Sequence, residues 1–310
     1  MSIEIIRSWQ DLAPSQKGAS VALGNFDGLH DGHRAVIQAA IDAGERLGAL
    51  AGVISFDPHP RRYFQPDAEP FRVMTTGQLA RALEAMGVGR LYLLPFDRTM
   101  ASMSDEAFAR EVLSQGLGVR HVAAGFDITF GKDRSGSPES LRRYGAEFGF
   151  GVSIVERMAT LEGVKYSSTE ARRAIADGAP EEVADLLGHP FAIEGEVTKG
   201  DQRGRLLGFP TANVALGDYV RPAFGVYAVR VRLPDGRVIP GVANIGKRPT
   251  VGGEIARLEV HLFDFAEDLY GQVIETELVS KIRPEQKFEG LDALKARIAI
   301  DADEARKRLA

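Results

Sequence analysis

Short apolar runs alternate with amphipathic stretches through the first half of the chain. The runs at 19–23, 50–55, 91–94, 119–124 and 152–155 are too short for helices and predict buried strands. Between them, 34–47, 76–86, 105–113 and 138–148 carry apolar residues at helical spacing. Ser104 followed by Asp105 and Glu106 supplies a cap and two carboxylates at one helix start, opposite the exposed N–H groups and the positive dipole end. Such alternation predicts an α/β domain with a parallel sheet covered by helices on both faces. After two more helical segments, 169–177 and 180–187, the period changes. Tyr227, Val229, Val231 and Leu233 alternate with Ala228, Arg230 and Arg232, and Pro234-Asp235-Gly236 then turns the chain. Further strands are expected at 238–243, 258–263 and 273–279, and a closing helix with Leu291, Leu294, Ile298 and Ala305 on one face. Many short strands and one terminal helix predict a small antiparallel β-barrel. The change falls near Gly188-His189-Pro190, giving domains of 1–187 and 188–310 with no internal repeat.

The length of 310 residues fits that division into two cores. There are no cysteines, which removes disulfides, thiolate metal sites and a cysteine nucleophile. A net charge of −5 gives no general attraction to nucleic acid or to an anionic membrane, so an anionic ligand has to be met locally. The opening MSIEIIRSWQDLAPSQ has no basic region followed by an apolar stretch, and no later run reaches the roughly 20 apolar residues of a membrane span. A cytoplasmic protein is expected. Oligomeric state is not legible.

Candidate chemistry concentrates in two segments. The first, Gly24-Asn25-Phe26-Asp27-Gly28-Leu29-His30-Asp31-Gly32-His33, joins the first long strand to the first helix, where open α/β sheets bind ligands. Glycines at 24, 28 and 32 let backbone approach phosphates, and His30 and His33 can donate hydrogen bonds to phosphoryl oxygens. Taken alone, two histidines beside a glycine turn are equally ordinary surface residues or part of a metal site.

The second segment, GEVTKGDQRGRLLGFPTANV at 195–214, contains Gly208-Phe209-Pro210-Thr211-Ala212-Asn213. Thr211 and Asn213 are two apart, so in an extended chain their oxygens point the same way and can share one hard cation. An isolated Pro-Thr turn whose Asn bonds its own backbone fits equally. In RLEVHLFDF, Glu259 and His261 share one side of a strand, and a carboxylate on a rigid strand can take a proton from an attacking hydroxyl. A solvated Glu is the plain alternative. Residues 241–247 imitate the start of a P-loop, but Arg248 stands where Ser or Thr is required and Pro249 follows, so that reading is rejected.

GNFDGLHDGH resembles the His-x-Gly-His signature of nucleotidyltransferases in the form found in the bacterial bifunctional riboflavin kinase/FAD synthetase family. FDPHP at 56–60, GFDITFG at 125–131 and SSTEAR at 167–172 fit the same family, as do the PTAN segment, DLYG at 268–271 and IRPEQKF at 282–288. The resemblance spans nearly the whole chain. It implies a Rossmann-like nucleotidyltransferase domain that adenylates FMN to FAD, followed by a barrel that phosphorylates riboflavin to FMN. It further implies that His30 and His33 are catalytic and contact ATP phosphates. Gly24, Asn25, Phe26, Asp127, Ser168, Thr169, Arg172 and Gly208 would bind nucleotide, and Ala171 departs from the larger aliphatic residue usual there. Thr211 and Asn213 would hold Mg²⁺ and nucleotide phosphate, and Glu259 would be the base. Arg283 and Phe288 would meet the flavin, although either also fits core or rim. ATP is the implied co-substrate and Mg²⁺ the implied cofactor of both reactions. The competing readings are adenylation or cytidylation of another phosphate ester, and a flavin-storage module without turnover.

Overall fold

The structure is a computed structural model that describes residues 2–156, 168–200, 204, 208–250 and 253–310. It divides into two compact units, Met1–Ala68 with Thr76–Tyr166, and Glu69–Thr75 with Ser167–Ala310.

The first unit is built on six parallel strands, β1 (Glu4–Ile6), β2 (Ser20–Leu23), β3 (Ala51–Asp57), β4 (Arg90–Pro95), β5 (His121–Gly125) and β6 (Gly151–Val155), in the order β1-β4-β3-β2-β5-β6. Every residue of β2 is buried and β4 is buried up to its last residue, as expected of strands covered on both faces. This explains why these segments read as unbroken apolar runs. The helix Asp31–Leu47 buries Val36, Ile37, Ala40, Ala43 and Gly44, one face at helical spacing. From β2 the chain builds outward through β3 to β4, then returns to add β5 and β6 on the other side of β2. The carboxyl ends of β2 and β5 therefore flank the topological switch point, the usual ligand position in open α/β sheets. Two expectations needed adjustment. Strand β1 was missed because only one of its three residues is buried. The expected helix at 105–113 is a short α-turn, Asp105–Ala107, that widens into a π-helix over Phe108–Gly116.

The second unit is a closed antiparallel barrel of β7 (Ala192–Thr198), β8 (Ala212–Ala215), β9 (Gly225–Arg232), β10 (Val238–Thr250), β11 (Gly253–Leu262) and β12 (Val273–Pro284), in the order β10-β11-β8-β7-β12-β9. Closure pairs the strand edges that an open sheet of this size would leave exposed. Val229, Val231, Ile245, Leu258, Val260 and Ile274 alternate inward to fill it. The helices Ser168–Asp177 and Pro180–Leu187 bury Ala171, Ala174, Ile175, Val183 and Leu187 in this same apolar cluster. The compact units accordingly divide at 166/167, ahead of the turn at Gly188-His189-Pro190 that the change of period marks. Residues 241–247 lie within β10, so the P-loop imitation is a ladder strand. On the C-terminal helix, Leu291–Leu309, Ala302 and Ala305 pack against Val226, Ala228, Val242 and Phe263. Leu291 is 66% exposed, so the apolar face expected to begin there starts later.

Candidate active sites

The loop after β2 is held in an uncommon backbone. Phe26, Gly28 and Leu29 all have positive φ, at 47°, 95° and 42°, and both Phe26 and Leu29 are fully buried. Non-glycine residues persist in such conformations only where their surroundings fix them, and such residues cluster at functional sites. The loop delivers His30 as the N-cap of the first helix, where Nδ1 accepts the His33 backbone N–H at 3.3 Å. With Nδ1 an acceptor, the neutral ring carries its proton on Nε2. The two imidazoles stack at 3.7 Å between centroids, and Phe26 meets His33 edge-on at 5.3 Å. Phe26, expected at the nucleotide, has its ring buried against His33. The pair stands at a helix N-terminus, whose N–H groups and dipole favour phosphate.

Beside this loop opens a cavity of about 910 Å³, whose lining includes Gly24, Asn25, Phe56, His59, Thr129 and Lys132. Phe56, Phe96, Phe108 and Phe130 form a run of edge-on and tilted ring contacts along its wall. Asp127 lies just past the end of β5 and is exposed. The following loop is clipped to the start of the helix at Asp105. The Lys132 N–H donates to the Met103 carbonyl at 2.7 Å, and Ser135 and Tyr144 donate to the two Asp105 oxygens at 2.9 and 3.0 Å. Burial pushes the Asp105 carboxyl up. The bonds from Ser135, Tyr144 and the backbone N–H groups of Asp105 and Glu106 outweigh this and hold it below the usual carboxylate range. A Cβ on Gly131 would come within 2.4 Å of the Asp105 nitrogen, so the motif needs glycine for close approach as well as for its φ of 73°.

Ser168, Thr169 and Arg172 fall in the second unit, on the first turns of the helix Ser168–Asp177. Ser167, the first residue of that motif, lies outside the described residues. The Arg172 Nε donates to the Phe71 carbonyl at 2.7 Å, and its guanidinium lies over the Phe71 ring. Ala171 is fully buried.

The barrel carries the second cavity, about 510 Å³, and it gathers Thr211, Asn213, Glu259, Arg283 and Phe288. The register accounts for the polar wall. Glu259 on β11 pairs with Asn213 on β8 and with Asn244 on β10, and all three line the cavity. Gly208, with φ of 87°, turns the chain ahead of Phe209-Pro210-Thr211. The His261 Nδ1–H donates to the Pro210 carbonyl at 2.9 Å and its ring meets Phe209 at 5.4 Å, which braces the PTAN segment. Asn213 is buried, its Nδ2 donates to the Thr211 carbonyl at 3.4 Å, and a Cβ on Gly200 would collide with its amide. The amide is therefore held in one place with its oxygen available. No cluster of three or more His, Cys, Asp or Glu side chains able to hold a metal occurs among the described residues. The hydroxyl and amide oxygens of Thr211 and Asn213 instead fit Mg²⁺, a hard cation usually shared between one or two protein oxygens and substrate phosphates.

Arg283 reaches the cavity with much of its hydrogen-bonding capacity engaged. Its Nε and Nη2 donate to Asp301 at 2.7–3.0 Å and its Nη1 to the Pro284 carbonyl at 3.0 Å, with Phe288 beneath the guanidinium. Asn244, Asp301 and His59 were not singled out from sequence. Asn244 sits inside the P-loop imitation, where period two in a strand would have shown it sharing a side with Val242. Asp301 looks like an ordinary charge on an exposed helix until its burial is known.

Comparison with known proteins closes the assignment. Residues 12–170 match the FAD synthetase family model and residues 187–309 the riboflavin kinase family model. The bifunctional riboflavin kinase/FMN adenylyltransferase of Escherichia coli K12 is 42% identical over 306 residues, covering 98% of this chain and 97% of that protein. Its Bacillus subtilis counterpart is 38% identical over 98% of this chain and 96% of that protein. A crystal structure from Streptococcus pneumoniae, described as a macrolide-efflux protein, superposes with a TM-score of 0.84 at 33% identity over 99% of both chains. No helix among the described residues of the present chain is long and apolar enough to cross a membrane. With matches of this extent in both halves and in this order, the chain belongs to the family of bifunctional riboflavin kinase/FMN adenylyltransferases.

Proposed function

We propose that the chain phosphorylates riboflavin to FMN in the barrel and adenylates FMN to FAD in the parallel-sheet unit, each reaction using one ATP. The assignment by sequence is 1–187 for adenylyl transfer and 188–310 for the kinase. The observation that carries the kinase half is the convergence of Thr211, Asn213 and Glu259 on one cavity wall from neighbouring strands. Glu259 accepts the proton of the riboflavin hydroxyl as its oxygen bonds the γ-phosphorus and the bond to the β-phosphate oxygen breaks, releasing ADP. Thr211 and Asn213 would hold Mg²⁺, which when bound neutralises charge on the phosphates. Arg283 and Phe288 offer a cationic edge and a flat apolar face to the isoalloxazine ring.

In the other unit an FMN phosphate oxygen bonds the α-phosphorus of ATP, and the bond to the departing pyrophosphate breaks. His30 and His33 donate hydrogen bonds to the phosphoryl oxygens on which charge builds. Gly24 and Asn25 approach the nucleotide through backbone. Asp127 acts through magnesium or meets a sugar or base edge, because a carboxylate facing bare phosphate would oppose it. A cytoplasmic location, where ATP is abundant, fits this reading. The test is incubation of the purified protein with riboflavin, ATP and Mg²⁺, resolving FMN from FAD over time. FMN should appear first and FAD after it. Accumulation of neither would overturn the proposal in favour of flavin storage.

A further inference from the structure

The Asp301 carboxylate is 2% exposed, yet it sits on a helix whose first ten residues include none that are buried. That helix starts at Gly290 without a side-chain cap, and its only buried positions are Asp301, Ala302 and Ala305. Its first half contributes Leu294 and Ile298 to the wall of the barrel cavity. Asp301 stands where the packed half meets the cavity half. It accepts Arg283 Nε at Oδ1 and Nη2 at Oδ2, and Arg297 Nε at 3.0 Å, so two guanidinium groups share one carboxylate. Arg283 comes from β12, and its side chain is 13% exposed.

Stability alone does not account for this choice. Removing a carboxylate from water is costly, and apolar residues of similar volume often pack as well as or better than a buried ion pair. What a bidentate pair supplies beyond packing is direction, because the planar fork fixes the guanidinium plane. Here the Arg283 Cζ lies over the Phe288 ring, 5.5 Å from its centroid, so the carboxylate that holds the guanidinium also bears on what Arg283 and Phe288 present to the cavity.

We propose that Asp301 is a positioning residue for the flavin, acting through Arg283 and not on the phosphoryl group. The inference rests on the assignment of the barrel as the riboflavin kinase. It places flavin-ring recognition under the control of the C-terminal helix, while Glu259, Thr211 and Asn213 on the strands keep the chemistry.

The test compares Asp301→Asn, Arg283→Met and the double variant in the full chain. Riboflavin binding is read from quenching of its fluorescence, and steady-state rates are measured with riboflavin and ATP varied in turn. Asp301→Asn should raise the riboflavin Kd and KM about tenfold, with kcat within about threefold and the ATP KM unchanged. The double variant should be no weaker than Arg283→Met, because a residue acting only through Arg283 has nothing left to position. Additive losses, an unchanged riboflavin Kd, or a loss confined to kcat would each overturn the role of Asp301. Should Asp301→Asn fail to fold, the double variant, which removes one charge of each sign, decides: an unaltered riboflavin Kd in that protein overturns the proposal. Absence of FMN formation by the unmodified protein would instead overturn the kinase assignment beneath it.

Discussion

At the scale of single residues, the two proposed reactions ask different chemistry of their polar groups. In the proposed adenylyl transfer the histidine pair has no proton to remove from an FMN phosphate that is already ionised, so the role proposed for it is electrostatic. Replacing His30 and His33 by Ala should lower FAD formation by at least about 10²-fold, the usual effect of losing one preorganised donor. FMN formation should stay close to the unmodified rate, and chromatographic product analysis separates the two. An equal fall in both products by a folded variant would refute separate sites. With Glu259 as the proposed base, its replacement by Gln preserves shape and hydrogen bonding but not proton uptake. The kinase kcat should fall about 10²–10⁴-fold with riboflavin and ATP binding little changed. FAD synthesis from supplied FMN should continue. A Glu259→Gln protein with near-normal kinase turnover would shift the proton to water or to a substrate phosphate. Most of these residues were legible in sequence because their motifs fix spacing: Thr211 and Asn213 two apart on one side, Glu259 opposite Leu258 and Val260. Asp301 and Asn244 were not, because burial of a helix carboxylate and cross-strand register depend on partners distant in the chain.

At the scale of elements, loop geometry controls what the strand ends present. The loop after β5 carries two non-glycine residues of positive φ, Asp133 and Arg134, and is tied down by Asp105 and by the contact of Gly131 with the Asp105 backbone. Gly131→Ala would add a methyl group where 2.4 Å is available and would strain a φ of 73°, so the loop must move off the helix start. The catalytic efficiency of FAD synthesis should fall about tenfold or more through raised KM values, with riboflavin phosphorylation unaffected. Steady-state kinetics with FMN and ATP varied in turn measure this. A variant with unaltered KM values would show that the clip does not shape the site. Most of the longer strands and helices were read from sequence because their periods hold over several residues, but β7 was not, since only Ile193 and Val197 of its residues are buried. Strand β1 and the π-helix were not, the first for its brevity and the second because a wider turn leaves the apolar spacing of Phe108, Val112 and Leu113 intact.

At the scale of the whole molecule, the change from helical to strand period near Gly188 marks where the barrel strands begin, but the barrel's apolar core extends further back. Ala171, Ala174, Ile175 and Val183 are buried with Val229, Val231 and Tyr227, and Val73 from the segment Glu69–Thr75 joins them. Sequence could not show this, because the helices Ser168–Asp177 and Pro180–Leu187 look alike whichever core receives their apolar faces. The consequence concerns truncation. A fragment of 186–310 contains every barrel strand but uncovers the surface that these helices bury. Burying an Ile or Val side chain contributes about 1.5–3 kcal/mol, so losing Ile175, Val183 and the alanines costs a large part of the 5–15 kcal/mol that stabilises a typical domain. A fragment of 168–310 keeps the contacts of both helices, losing only that of Val73, and should fold and phosphorylate riboflavin. The shorter fragment should unfold at a markedly lower urea concentration, or aggregate, while any folded portion retains the ability to make FMN. Urea denaturation followed by circular dichroism, with FMN formation assayed in parallel, measures both. Equal urea midpoints for the two fragments would show that the helices are passengers on the barrel, and the boundary at Gly188 would then be the energetic one as well.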